Sequence, residues 1–161
     1  MAAACILSSC FQHKSSDDFK YSLDEFADLE VIRYQIPGWD NLSFQQKQYL
    51  YYLSEAAKYG RDIIWEQNCQ YNLPIRKALE KIITGYAGDK GSKDWLDFMV
   101  YAKRVFFSNG IHHHYGEHKF IPDCPREYMQ SLFDETGCDP SLIEIIYNPD
   151  IAPFRRSEER R

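Results

Sequence analysis

The sequence predicts a mainly α-helical protein with one or two short strands. Three observations carry that expectation. Apolar residues recur at steps of three and four over most of the chain, helix start and stop residues bracket those runs, and only one short stretch is β-branched with period two. The 161 residues, 44% hydrophobic and 27% charged, are enough for a single domain with its own core and exclude a wholly disordered chain.

The elements follow in order. Residues 29–36 place Val31, Ile32, Tyr34 and Ile36 around Arg33 and Gln35 and end at Pro37-Gly38, which predicts a short strand. Ser43 with Gln46 three residues on has capping-box spacing, and Leu50, Leu53, Ala57, Gly60 and Ile64 follow at helical steps. One helix over 44–67 is expected, with Ala56, Ala57 and Gly60 near its seam. Pro74 suits a first helical turn, and Ile75, Ala78, Leu79, Ile82, Ile83 and Tyr86 continue that helix until Gly85, Gly88 and Gly91. Ser92 caps a third, with Trp95, Leu96, Met99, Ala102, Val105 and Phe106 as its face and a left-handed stop at Asn109-Gly110. An irregular stretch covers 111–122. Asp123 and Pro125 then start a helix that Gly137 ends, and Asp139-Pro140 starts a last one that Asn148-Pro149 halts.

Domain organisation reads as residues 1–20, a truncated lipoprotein-type signal and polar linker; 21–154, the helical body; and 155–161, a charged tail. The start, MAAACILSSC, ends in Leu7-Ser8-Ser9-Cys10, which resembles the lipobox of bacterial lipoproteins and makes Cys10 the candidate lipidation site. No Lys or Arg precedes Cys10, so the basic start of a secretory signal is expected upstream of Met1. The competing reading is a plain apolar terminus. No other stretch approaches the roughly 18 uninterrupted apolar residues of a spanning helix. Any membrane association is therefore expected only through a lipid on Cys10, placing the protein in the bacterial cell envelope, with a cytoplasmic location as the alternative.

Net charge and cysteine usage remove whole classes. With 19 basic against 24 acidic residues the net charge is −5, and without a Lys/Arg stripe nucleic acid is not an expected partner. Five cysteines with no C-x-x-C pair indicate neither a zinc knuckle nor a disulfide framework. No G-x-S-x-G elbow or Gly-rich phosphate loop occurs.

Four of the five histidines lie within seven residues: His112, His113, His114 and His118. The run His114-Tyr115-Gly116-Glu117-His118 spells H-x-x-E-H, the inverted zinc motif, which needs a helix to bring its two imidazoles onto one face. Gly110, Gly116 and Pro122 weaken that helix. In an extended segment His112 and His114 would share a face with His113 opposite, leaving two ligands at most. Metal ligands, a non-metal cleft wall and plain surface histidines all stay open on the residues alone. No catalytic residue stands out.

Two stretches taken together, YLYYLSEAAKYGRDI (49–63) and SNGIHHHYGEHKFIP (108–122), resemble the N-terminal part of the dipeptidyl peptidase III family, its bacterial branch in particular. The first supplies Tyr52, Leu53, Ser54, Ala56, Ala57 and Gly60; the second supplies Asn109 and the frame Tyr115, Gly116, Glu117, Lys119, Phe120 and Pro122. The likeness covers roughly residues 19–154. It implies part of the lower lobe of a two-lobed zinc metallopeptidase that releases dipeptides from peptide N-termini, with peptide substrate in the cleft between lobes.

In that family zinc polarises the scissile carbonyl and its bound water, and a glutamate takes the water's proton. The zinc is held by H-E-x-x-G-H and a downstream E-E-x-x motif. No His here is followed by Glu, and Glu158-Glu159 lies too early to be the second motif. The resemblance thus implies an N-terminal fragment that contributes substrate-cleft wall, its partner being the missing C-terminal catalytic portion. Zinc is the parent family's cofactor and is not expected to be bound specifically by this chain. Tyr115 matches an aromatic lining the pocket for the substrate's N-terminal side, and Gly116 lets backbone approach; His114 and His118 become incidental. The alternative is a free-standing lipidated helical peptide-binding module without catalysis.

Overall fold

The computed structural model describes residues 19–153. The lipobox-like start with Cys10 and the charged tail lie outside the described residues. The chain divides after Pro37 into two compact units.

The first unit is a hairpin. Strand β1 (Ser22–Phe26) pairs antiparallel with β2 (Leu29–Ile32), Phe26 opposite Leu29 and Glu25 opposite Glu30. Ala27 turns the chain at φ 53°, a left-handed conformation that L side chains rarely adopt. The strand expected over 29–36 is therefore shorter, and it has a partner the sequence did not announce. The reason is an irregularity in register between Ser22 and Asp24, which shifts the alternation that would have marked β1.

In the second unit the helices are α1 (Phe44–Lys58), α2 (Arg61–Asn68), α3 (Asn72–Gly85), α4 (Lys93–Ser108), α5 (Arg126–Thr136) and α6 (Ser141–Tyr147). The predicted capping box is present: Ser43 Oγ accepts from the Gln46 amide at 3.3 Å and Gln46 Oε1 accepts from the Ser43 amide at 2.8 Å. Ser92 caps α4, and Asn109 and Gly137 end α4 and α5 at φ 54° and 62°.

Two expectations about helices change. The helix expected over 44–67 is broken at Tyr59-Gly60, where the Tyr59 and Gly60 amides bond the carbonyls of Ala56 and Ala57 in tightened turns. Glycine's poor helix propensity sits at that break. The seam also stays uncovered, since α1 buries none of its residues and Leu50, Leu53 and Ile64 are 41%, 48% and 52% exposed. On α4 the buried face is Trp95, Phe98, Tyr101, Ala102, Val105 and Ser108, rotated from the one expected, with Leu96 left outside.

The core is built around α3, which packs against α2, α4 and α5, while α5 carries α6. Ile75, Leu79 and Ile82 of α3 meet Phe98 and Val105 of α4 and Leu132 and Phe133 of α5 in one cluster of fully buried side chains. The tie between α2 and α3 is polar as well as apolar. Arg76, 4% exposed, holds Asp62 at 2.6 Å and Glu80 at 2.9 Å and lies over the buried Trp65 ring. That tie fixes the first turn and the middle of α2 against α3, whose start borders the candidate site.

Candidate functional site

The stretch after α4 folds back on itself as an irregular hairpin. The Phe120 amide donates to the Ile111 carbonyl at 2.8 Å, His112 bridges Lys119, and the His113 amide donates to the His118 carbonyl at 2.7 Å. At the tip the Gly116 amide closes a turn on the His113 carbonyl at 3.1 Å, and the Tyr115 amide donates to His113 Nδ1 at 3.2 Å.

Three buried anchors hold this hairpin. Asn72, 1% exposed at the start of α3, accepts the Ile111 amide on its Oδ1 at 3.0 Å. A Cβ on Gly110 would come within 2.4 Å of Asn72 Nδ2, so the glycine lets the backbone pass. Lys119, 6% exposed, donates to the Ile146 carbonyl in the last turn of α6 at 2.6 Å, where the helix dipole favours a cation. Burial pulls its pKa down to about 8. Finally His112 Nε2 donates to the Ile151 carbonyl at 2.7 Å, and burial pushes the His112 pKa below its ordinary value.

The histidines are placed differently from either sequence reading. The H-x-x-E-H run is a turn, because Gly116 and the closing bonds at the tip replace the i to i+4 ladder a helix would need. Nor do His112 and His114 share a face. His112 turns inward, while His113 and His114 stack with ring centroids 4.6 Å apart at 25°. Imidazole lone pairs lie in the ring plane, and two nearly parallel, stacked rings cannot converge them on one ion at about 2.0–2.1 Å. Among the described residues no group of three His, Cys, Asp or Glu side chains is placed to hold a metal ion.

Tyr115 and Gly116 occupy the outermost point. Tyr115 is 90% exposed, with its ring 4.2 Å from that of His114, which in turn meets Phe107 edge-on at 5.5 Å. A Cβ on Gly116 would find nothing closer than His113 Nδ1 at 3.9 Å, so open space lies in front of it.

Behind the tip is a cavity of about 140 Å³, between the ends of α2, α3 and α4 and the hairpin. Asn68, Asn72, Ser108, His112, His113 and His114 line it, with the Ser108 hydroxyl 3.5 Å from His114 Nδ1. Sequence reasoning missed Asn68, Asn72 and Ser108. The only available signal was an asparagine within the apolar-rich start of α3, a position that burial makes costly without a partner. No family model matches the chain, and no curated protein matches it either.

Proposed function

We propose that the chain is the N-terminal segment of a zinc-dependent dipeptidyl peptidase, contributing substrate-cleft wall from the lower lobe. The observation that carries this reading is how the frame shared with dipeptidyl peptidase III divides in space. Within the frame, Lys119 and Phe120 are buried and tie the hairpin to the helices, while Tyr115 is displayed at 90% exposure beside open space at Gly116. A frame split into anchoring and displayed residues suits a turn that presents an aromatic to a ligand. Tyr115 and Gly116 are accordingly the proposed contacts for the N-terminal side of a peptide substrate.

Zinc does not fit the residues described here, so the metal and its hydrolytic chemistry belong in this reading to a catalytic portion outside the 161 residues. One further feature supports a larger assembly. The Tyr- and Leu-rich α1 is apolar on several faces, a pattern typical of a helix buried in a larger protein, yet none of its residues is buried. Envelope attachment through lipid on Cys10 completes the proposal, with a cytoplasmic location as the alternative.

The test is the coding sequence beyond Arg161. A frame that continues to H-E-x-x-G-H supports the peptidase segment, and in that full product Tyr115→Ala should raise KM for dipeptidyl substrates more than it lowers kcat. A stop codon there, with a stable 161-residue protein in cells, would overturn it. That outcome would favour a free-standing lipidated helical peptide-binding module, a reading supported by the helical unit's own closed core. Mass spectrometry of the cellular protein with and without Cys10→Ala reads the lipid directly.

A further inference from the structure

The β-hairpin of the first unit carries an inference that does not depend on the peptidase reading. Among the described residues its two strands pair only with each other, and a two-stranded sheet by itself is marginally stable in water. Its two outer edges differ. On β1 the register irregularity between Ser22 and Asp24 bends the strand, and the Glu25 amide donates to the Asp24 carboxylate at 3.0 Å. Both features blunt that edge against further pairing. The irregularity is confined to β1, so the edge of β2 keeps its regular spacing.

The ladder fixes what β2 presents. Leu29 pairs with Phe26 across the turn and the Arg33 amide donates to the Tyr21 carbonyl at 2.9 Å, so Leu29, Val31 and Arg33 direct their backbone groups toward β1. By the same alternation Glu30, Ile32 and Tyr34 direct theirs outward. The period-two pattern of the sequence runs on to Ile36, although β2 ends at Ile32. In an extended chain Ile32, Tyr34 and Ile36 share the face of Glu30, and they are 48%, 80% and 67% exposed. That is half a strand's worth of pattern with no strand beside it.

The charges define the missing strand. Glu25 lies directly opposite Glu30, a like-charge pairing that destabilises a hairpin. Residues 22–32 hold Asp24, Glu25, Asp28 and Glu30 and no Lys or Arg. Arg33 is engaged elsewhere, donating to the Lys20 carbonyl at 2.7 Å and lying over the Phe19 ring.

We propose that the open edge from Glu30 to Ile36 docks an extended segment of another polypeptide as a third, antiparallel strand. Its main-chain groups bond Glu30, Ile32 and Tyr34, its alternate apolar side chains lie against Ile32, Tyr34 and Ile36, and a Lys or Arg lies against the Glu25–Glu30 pair. Main-chain bonds supply affinity in such strand addition, and the alternate side chains supply selection.

The experiment uses the full ¹⁵N-labelled chain and the peptide acetyl-Val-Thr-Val-Thr-Val-Thr-Lys-amide, whose lysine falls opposite Glu30 in antiparallel register. Amide exchange should slow at Glu30, Ile32 and Tyr34 on binding, with little change at Leu29, Val31 and Arg33, which already face β1. The same peptide ending in Glu should bind at least about tenfold more weakly at low salt, and Glu30→Lys should reverse that preference. Tyr34→Pro lies outside β2 and removes one outward donor; it should abolish the peptide's effect without moving the thermal midpoint.

Equal binding of the Lys and Glu peptides would overturn the proposal, as would protection that fails to alternate or shifts confined to α1. No binding of the Lys peptide at millimolar concentration would overturn it too. Protection of Glu30, Ile32 and Tyr34 that grows with protein concentration in the absence of peptide would assign the edge to a second copy of this chain instead.

Discussion

Gly110 and Gly116 stand six residues apart in the same hairpin and have opposite roles. Any side chain on Gly110 meets Asn72, whose Oδ1 holds the Ile111 amide in the interior. Gly110→Ala should therefore destabilise the protein by about 1–3 kcal/mol, through overpacking and a disturbed buried hydrogen bond. Gly116→Ala meets open space and should change stability by no more than about 0.5 kcal/mol; denaturant midpoints of the two variants check both values. Lys119 makes a pH prediction. Its folded pKa of about 8 lies below the ordinary 10.5, so between those values the unfolded chain binds a proton that the folded one does not. Stability from this group must rise with pH from about 8. Cys69, the titratable group acting on Lys119, has its thiol pushed above its ordinary 9.0 by burial and works in the opposite direction above that pH. Cys124, likewise pushed up by burial, adds to that opposing slope, so across pH 8 to 9 the lysine is read from the difference between wild type and a Lys119 variant. There the wild type should gain stability relative to Lys119→Met, as read by urea unfolding at each pH.

Among the elements, the capping box of α1 and the left-handed stops of α4 and α5 were legible because they depend on residues within one turn of each other. The faces were less so. On α4 the periodic apolar pattern admits more than one stripe, since Leu96, Phe98, Met99 and Tyr101 spread round the helix. Contact with α3 selects the side carrying Phe98. The seam of α1 has helical spacing but buries nothing, and that difference is measurable. Leu53→Ala should cost less than about 0.5 kcal/mol, whereas Leu79→Ala in α3, fully buried, should cost about 2–5 kcal/mol. Comparable losses at the two positions would mean that α1 is covered in solution. The β1 strand was hidden for a different reason: its register irregularity removes the alternation on which strand recognition depends.

For the whole molecule, Phe44, Tyr49, Tyr51, Tyr52, Tyr59 and Ile63 lie exposed on and just beyond α1, each at 59% or more. So many large exposed apolar side chains on and beside one helix are uncommon on a stable monomer. The isolated chain should bind a hydrophobic dye and self-associate as its concentration rises; a monodisperse protein without dye uptake would speak for the independent module. Zinc binding, titrated by calorimetry, should be no tighter than the micromolar range, about −8 kcal/mol, and His118→Ala should leave it unchanged because no three ligands converge among the described residues. From the sequence alone came the helical class, the capped starts of α1 and α4, the left-handed stops of α4 and α5 and the frame around Tyr115, all of which rest on local spacing and backbone preference. Which imidazole turns inward, whether the H-x-x-E-H run is helical, and the union of Asn68, Asn72 and Ser108 with the histidines were decided by the tertiary structure. Each depends on contacts between segments tens of residues apart: Asn72 with Ile111, Lys119 with Ile146, and His112 with Ile151. Local pattern carries no record of such contacts, since the packing of the helices alone sets which distant carbonyl or amide each buried polar group meets.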